Sequence, residues 1–175
     1  YNGEHHILAM TLKYTTGAPH FIETGHMEPA PVSDEMYKKV VQVVKHALDT
    51  LEIKNSASHS ELKIDKNGNI RIIEIGARMG GDCIGSDLVK YSTGIDYLKA
   101  VIDVACGNAP DLNISGEICS PEVRFILTKE DLDEFNRIKA EEPDKLLKIV
   151  DEKHLTLIGK TTDSSNRAGC YIIRK

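Results

Sequence analysis

The chain has 175 residues, 41% apolar and 28% charged, with 22 basic against 27 acidic side chains and a formal net charge of −5. That composition suits a globular protein of one domain or two small ones. It offers no basic stripe for a phosphate backbone and no run approaching the ~20 apolar residues of a membrane span, so neither nucleic acid nor membrane is expected as a partner. The four cysteines, Cys83, Cys106, Cys119 and Cys170, stand far apart with no CxxC pair. That spacing argues against a zinc knuckle or a disulfide framework and fits a reducing cytoplasm.

The chain opens on Tyr1, not methionine, and the Asn-Gly-Glu-His-His that follows suits a turn in mid-sheet, so a piece of a longer protein is expected. Residues 5–13 read as a strand. A Gly-Ala-Pro punctuation at 17–19 leads to a second extended segment over 20–26, closed by Pro29 and Pro31. Ser33 then starts a helix over 33–53, with apolar residues at Met36, Val40, Val43, Val44, Ala47, Leu48 and Leu51. Residues 59–76 form two β-rich runs around Asn67-Gly68, which predicts a hairpin with a two-residue type I′ turn. Gly76, Gly80, Gly81 and Gly85 lead into a short helix near 86–92 and a firmer one over 95–106, ended by Gly107. After the linker-like Asn108-Ala109-Pro110 the character changes. Strands are expected near 121–128, 146–150, 155–160 and 170–174, with a charged, exposed helix around 129–140. The expected division is therefore 1–110 and 111–175.

With the turn centred on Asn67 and Gly68, Glu61 falls directly opposite Glu74, their Cβ atoms ~5 Å apart on one sheet face. Two opposed carboxylates repel unless a cation or proton sits between them. Hard oxygen donors without a nearby cysteine favour Mg²⁺ or Mn²⁺, which commonly arrives with substrate phosphates. The competing reading is a solvated pair relieved by Lys63 or Arg71, and a three-residue loop with a bulge would separate the two. Alternation places Glu74, Gly76 and Arg78 on one face, with Arg78 roughly 13 Å along the strand at most and Gly76 clearing space between. A metal, a fixed cation and a glycine-rich exit loop together describe a phosphoryl site.

At these residues the sequence resembles the ATP-grasp superfamily. Glu61 in His59-Ser60-Glu61-Leu62-Lys63 and Glu74 in Ile72-Ile73-Glu74-Ile75-Gly76-Ala77-Arg78 look like its two magnesium-ligand glutamates, followed by the arginine that steadies the transferred phosphate. The nearer likeness is to carboxylate–amine ligases of the L-amino-acid ligase group, related to carbamoyl-phosphate synthase large subunits. The resemblance implies an α+β fold: the second half of an ATP-grasp domain, an antiparallel sheet with packed helices, followed by a small β-rich C-terminal domain ending in Ser164-Ser165-Asn166-Arg167-Ala168-Gly169-Cys170-Tyr171. It implies ATP and Mg²⁺ (or Mn²⁺) as cofactors, metal ligation by Glu61 and Glu74, and a catalytic role for Arg78. Glu23 and His26, from Phe21-Ile22-Glu23-Thr24-Gly25-His26-Met27-Glu28-Pro29, would border an amino-acid pocket that Asp82 also lines. Gly80 and Gly81 would position the acyl phosphate.

The implied partners are ATP, small carboxylate and amine substrates and the missing first half of the grasp, and a homodimer is compatible with the family. Without that first half the piece is not expected to turn over alone. This chain has Glu74-Ile75-Gly76 where many relatives have Glu-x-Asn, which removes one customary magnesium ligand. Competing readings are a carbamoyl-phosphate-synthase-like or biotin-carboxylase-like subunit using bicarbonate, and a non-catalytic nucleotide- or ligand-binding module. Lys13 is a candidate nucleotide-phosphate contact against the reading of a solvated edge lysine. His59 shares the Glu61 face as a candidate donor to it, with a plain cross-strand polar contact as the alternative, and Arg167 is a candidate contact to nucleotide or the neighbouring domain, with surface or interdomain packing the favoured role.

Overall fold

The structure is a computed structural model that describes residues 1–152 and 155–175. In chain order the elements are β1 (Leu12–Thr15), β2 (Glu23–Met27), α1 (Asp34–Thr50), β3 (His59–Ile64), β4 (Ile70–Gly76), α2 (Val89–Thr93), α3 (Tyr97–Ala105), β5 (Pro121–Ile126), α4 (Lys129–Glu141), β6 (Leu146–Asp151) and β7 (Gly169–Arg174). One antiparallel sheet has the order β1-β2-β5-β7-β6, and β3 with β4 makes a second, two-stranded sheet. No helix among the described residues is long and apolar enough to cross a membrane.

Two compact units result, one of Tyr1–Ala9 with Pro31–Glu117 and the other of Met10–Ala30 with Ile118–Lys175. This differs from a division at residue 110, which leaves the β1–β2 hairpin with the first unit. The reason is ladder pairing: β2 hydrogen-bonds to β5, with His26 opposite Val123 and Gly25 opposite Arg124. The first strand is also shorter and later than expected, because pairing with β2 begins only at Leu12.

In the first unit, α1 starts where Ser33 predicts, its Oγ accepting from the Met36 amide at 3.2 Å, and Asp34 and Glu35 occupy the positive end of the helix dipole. Its apolar stripe buries Val40, Val44 and Leu48. Full burial of such side chains stabilises by about 1.5–3 kcal/mol each. The segment expected as one short helix near 86–92 is a π-helical turn at Ile84–Leu88 running into α2, where Gly94 at φ 73° ends it.

In the second unit, α4 begins with a capping box between Thr128 and Asp131. It is more than an exposed charged helix: Phe135 and Ile138 pack with Ile126, Ala168, Tyr171 and Ile173 of the sheet side, leaving charge on the outer face. The strand expected over 155–160 is instead a 3-10 turn at Leu155–Leu157, and residues 153–154 lie outside the described residues.

Candidate functional site

The β3–β4 hairpin does not close with a two-residue type I′ turn. Asp65 pairs with Asn69, the Gly68 amide donates to the Asp65 carbonyl at 2.9 Å, and Gly68 takes φ 79°. That is a three-residue loop with glycine in the left-handed position. The Asp65 carboxylate accepts from the backbone amides of Asn67 and Asn69 and from the Asn69 side chain, which holds it below the ordinary aspartate range. The register therefore starts one residue off, with Ile64 opposite Ile70 and Leu62 opposite Ile72. A β-bulge at Ile73 then absorbs one residue, and Glu61 comes to face Glu74.

The two carboxylates so opposed are partly open to solvent, with side-chain exposures of 34% for Glu61 and 63% for Glu74. The His59 Nε2 stands 3.7 Å from the Glu61 Oε1. The other side of the same imidazole limits the glycine-rich segment, since a Cβ at Gly80 would lie 2.8 Å from the His59 Nδ1. Gly80 is thus the residue that lets the loop close against the carboxylate hairpin. Two carboxylates on one face are donors that a hard divalent cation shared with phosphate oxygens takes, and among the described residues no group of three or more His, Cys, Asp or Glu side chains adds to them.

Arg78 lies beyond the end of β4, so strand alternation does not set its direction. Its stem passes over Gly76, where a Cβ would meet the Arg78 Cγ at 3.3 Å. The guanidinium donates to the Met79 carbonyl at 3.0 Å and lies 4.0 Å from the Glu74 carboxylate. Gly76 therefore makes room for Arg78 itself. The loop then folds back through Gly85, whose amide donates to the Gly80 carbonyl at 3.3 Å, and Asp82 and Cys83 hold successive left-handed conformations at φ 50° and 65°. Such conformations cost a β-carbon-bearing residue roughly 1–2 kcal/mol and concentrate where a site over-determines the backbone. Glu61, Glu74, Arg78, Gly80, Gly81 and Asp82 all belong to the first unit.

Lys13, Glu23 and His26 form a second group, in the second unit. Simple alternation would put Glu23 and His26 on opposite faces of β2. The irregularity between Tyr14 and Thr15 leaves Thr24 as the extra residue, so Glu23 opposes Thr15 while His26 opposes Lys13, all on one face. The Lys13 ammonium lies 3.5 Å from the Glu23 carboxylate. His26 is 1% exposed and meets Phe125 edge-on, with ring centroids 5.5 Å apart. Ser164 donates its hydroxyl to the other Glu23 oxygen, and the Arg167 guanidinium lies 3.7 Å over the Phe125 ring. Ser164, Arg167 and Phe125 are not legible as members of this group, because the β2–β5 ladder brings Phe125, and the β5–β7 ladder brings the turn of Ser164 and Arg167, beside Glu23 and His26.

Residues 1–87 match the ATP-grasp domain family. The alanine–anticapsin ligase of Bacillus subtilis (strain 168) is 36% identical over 93 residues, covering 53% of this chain and 20% of that protein. Among solved structures, phosphoribosylglycinamide synthetase from Anaerococcus prevotii superposes with a TM-score of 0.74 at 22% identity, covering 94% of this chain and 43% of that one. An L-amino acid ligase from Bacillus licheniformis gives 0.73 at 22% identity, covering 98% of this chain and 45% of that one. The chain spans about a fifth of the curated relative and less than half of either solved chain. The matched stretch ends just past the glycine-rich loop and so contains both glutamates, Arg78 and Asp82, while the structural likeness extends the shared α+β fold over nearly the whole chain. On these grounds residues 1–87, just under half of the chain, belong to the ATP-grasp domain family.

Proposed function

We propose that this chain is the metal-bearing part of an ATP-dependent carboxylate–amine ligase that joins amino acids. The observation that carries the reading is the opposed pair Glu61 and Glu74 with the Arg78 guanidinium 4.0 Å from Glu74, inside the stretch that matches the family. In such a ligase a substrate carboxylate oxygen attacks the γ-phosphorus of ATP and ADP leaves. The amine of a second substrate then attacks the acyl carbon, phosphate departs, the nitrogen loses a proton, and an amide remains.

Glu61 and Glu74 would hold Mg²⁺ or Mn²⁺, which supplies charge neutralisation at the phosphate oxygens. Arg78 offers a planar fork of donors to the transferring phosphoryl group, and the backbone amides of the Gly80–Gly81 segment would position the acyl phosphate. Glu23, His26 and Asp82 are assigned to amino-acid recognition, and Lys13, through its ion pair, to holding Glu23 in place in addition to any phosphate contact. The likeness to an alanine-using ligase supports amino acids over bicarbonate as substrates. The remaining grasp residues would come from the rest of a longer chain, acting in the cytoplasm.

The test is amino-acid-dependent phosphate release from ATP by the full-length protein, paired with calorimetric titration of Mg²⁺ and a non-hydrolysable ATP analogue. Glu61→Gln and Glu74→Gln are expected to abolish turnover and metal-dependent binding. Arg78→Lys is expected to keep nucleotide binding and lose most of the rate, since an ammonium does not reproduce the fork. Turnover without any amino-acid requirement, or at the wild-type rate in either glutamate variant, overturns the reading, and nucleotide binding with no turnover favours a non-catalytic module.

A further inference from the structure

We propose that His59 is a positioning residue for the metal: its imidazole, lodged between the Glu61 carboxylate and Gly80, sets the aim of that carboxylate and holds the glycine-rich loop against it. The assignment rests on the metal-bearing pair proposed above and adds to it the residue that couples the pair to the loop.

The neighbours of the ring fix where it lies. His59 opens β3 opposite Gly76, two residues before Glu61, so alternation puts imidazole and carboxylate on one face of the hairpin. The His59 side chain is 19% exposed against 34% for Glu61, and its Nε2 stands 3.7 Å from the Glu61 Oε1. Its Nδ1 side faces the loop, where a Cβ at Gly80 would come within 2.8 Å. The place over Gly76 is already filled, since a Cβ there would meet the Arg78 Cγ at 3.3 Å and its Nε at 3.5 Å. Strand, ring and loop all belong to the first unit.

An imidazole is flat and rigid, so a push on one nitrogen is felt at the other. The nitrogen that faces a carboxylate acts as a donor by carrying the hydrogen. At 3.7 Å the pair lies beyond an ordinary hydrogen bond and closes to one on a small rotation of the glutamate, the tightening that occupancy of a site brings. A metal held by two carboxylates needs both aimed at one point, and a glutamate has several torsions to fix. Glu74 has the Arg78 guanidinium at 4.0 Å, and Glu61 has His59. Each ligand therefore has its own nitrogen donor outside the gap, the arrangement by which outer partners orient metal ligands.

Gly80 makes the coupling tight. Its carbonyl accepts from the Gly85 amide at 3.3 Å, and a Cβ on it would also meet the Ile84 Cγ2 at 3.1 Å, so the loop meets the ring with a backbone that is itself folded back. The segment assigned to the acyl phosphate and a ligand of the metal are thus spaced by one side chain.

The experiment titrates Mg²⁺ with a non-hydrolysable ATP analogue into the full-length protein and its His59 variants by calorimetry, with thermal unfolding in the absence of metal as the check on fold. His59→Phe keeps a flat ring beside Gly80 and loses the donor, and it is expected to weaken metal-dependent binding about tenfold or more. His59→Gln places an amide N–H at similar reach and is expected to recover most of that loss, which a packing role of the ring would not produce, because Gln fills the space less well than Phe. Should His59→Phe not fold, His59→Ala relieves the approach to Gly80 and serves the same comparison. Wild-type affinity in a folded Phe or Ala variant overturns the assignment, as does a Gln variant that binds no better than either. Absence of metal-dependent binding in wild type overturns the metal pair and the assignment with it. Turnover of amino acids does not enter this readout, so the ligase reading and the assignment fail separately.

Discussion

Glu61 and Glu74 face each other because two irregularities in one hairpin cancel: the three-residue turn displaces the register by one, and the bulge at Ile73 restores it. Opposite changes in length should then have opposite consequences. Deleting Ile73 leaves a regular ladder with the pair still opposed, so metal-dependent binding of the ATP analogue should survive. Inserting one alanine after Ile73 moves Glu74 away from Glu61, opposite Ser60 with the bulge kept or opposite His59 without it, and should abolish it. Calorimetry on both variants decides, and binding that tolerates the insertion would show that the bulge does not set the pair.

Gly80 should be intolerant of a β-carbon because of His59. A Cβ there would lie 2.8 Å from the imidazole and 3.1 Å from the Ile84 Cγ2. Gly80→Ala is expected to cost about 1–3 kcal/mol. Adding His59→Ala should recover part of that loss, with the Ile84 contact remaining. Urea unfolding of the four proteins in the cycle measures it, and strict additivity would show that the two residues do not press on each other.

Gly25 and Gly81 should behave differently under the same substitution. A Cβ at Gly25 would lie 2.6 Å from the Val123 carbonyl oxygen, in a β-ladder that cannot move aside, whereas Gly81 has nothing within 4 Å. Gly25→Ala is therefore expected to lower stability by about 1–3 kcal/mol and Gly81→Ala to leave it near wild type. Equal thermal midpoints would contradict the close approach.

Asp65 gives the hairpin turn an acid limit. Its carboxyl is held down by bonds from Asn69 and Asn67 in the folded state, so it contributes stability above its unfolded pKa of about 4 that is lost as pH falls through the lower folded value. Asp65→Ala should be less stable than wild type at pH 6, and the difference should shrink on acidification. Denaturant unfolding at pH 6 and at progressively lower pH checks this. A difference independent of pH would mean that the loss is not electrostatic.

Local signals carried the first unit well. Ser33 and the apolar spacing of Val40, Val44 and Leu48 place α1, and β-rich runs around Asn67-Gly68 place the hairpin. The opposed glutamates were reached from a turn type that the structure does not have, and they survive because the bulge compensates. Bulges at Thr24 and Ile73 leave no compositional mark, yet each decides which face a carboxylate occupies. The second unit was less legible because its sheet is made by distant pairing. His26 opposes Val123 about a hundred residues away, and periodicity reports a strand without its partner. The stack of Arg167 on Phe125 follows from the β5–β7 pairing, where Phe125 opposes Cys170, and was equally hidden.

The two-stranded sheet gains no third strand among the described residues. The Tyr97 hydroxyl ties its margin to α3 through the Ser58 carbonyl at 3.3 Å, and the Ser56 hydroxyl closes its open end on the Ala77 carbonyl at 3.0 Å. The separation between Glu61 and Glu74 is set inside one hairpin, so tilting of that hairpin carries both carboxylates together. It resembles a pair of callipers whose aperture is fixed by the hairpin's own turn and bulge and does not depend on what packs around it.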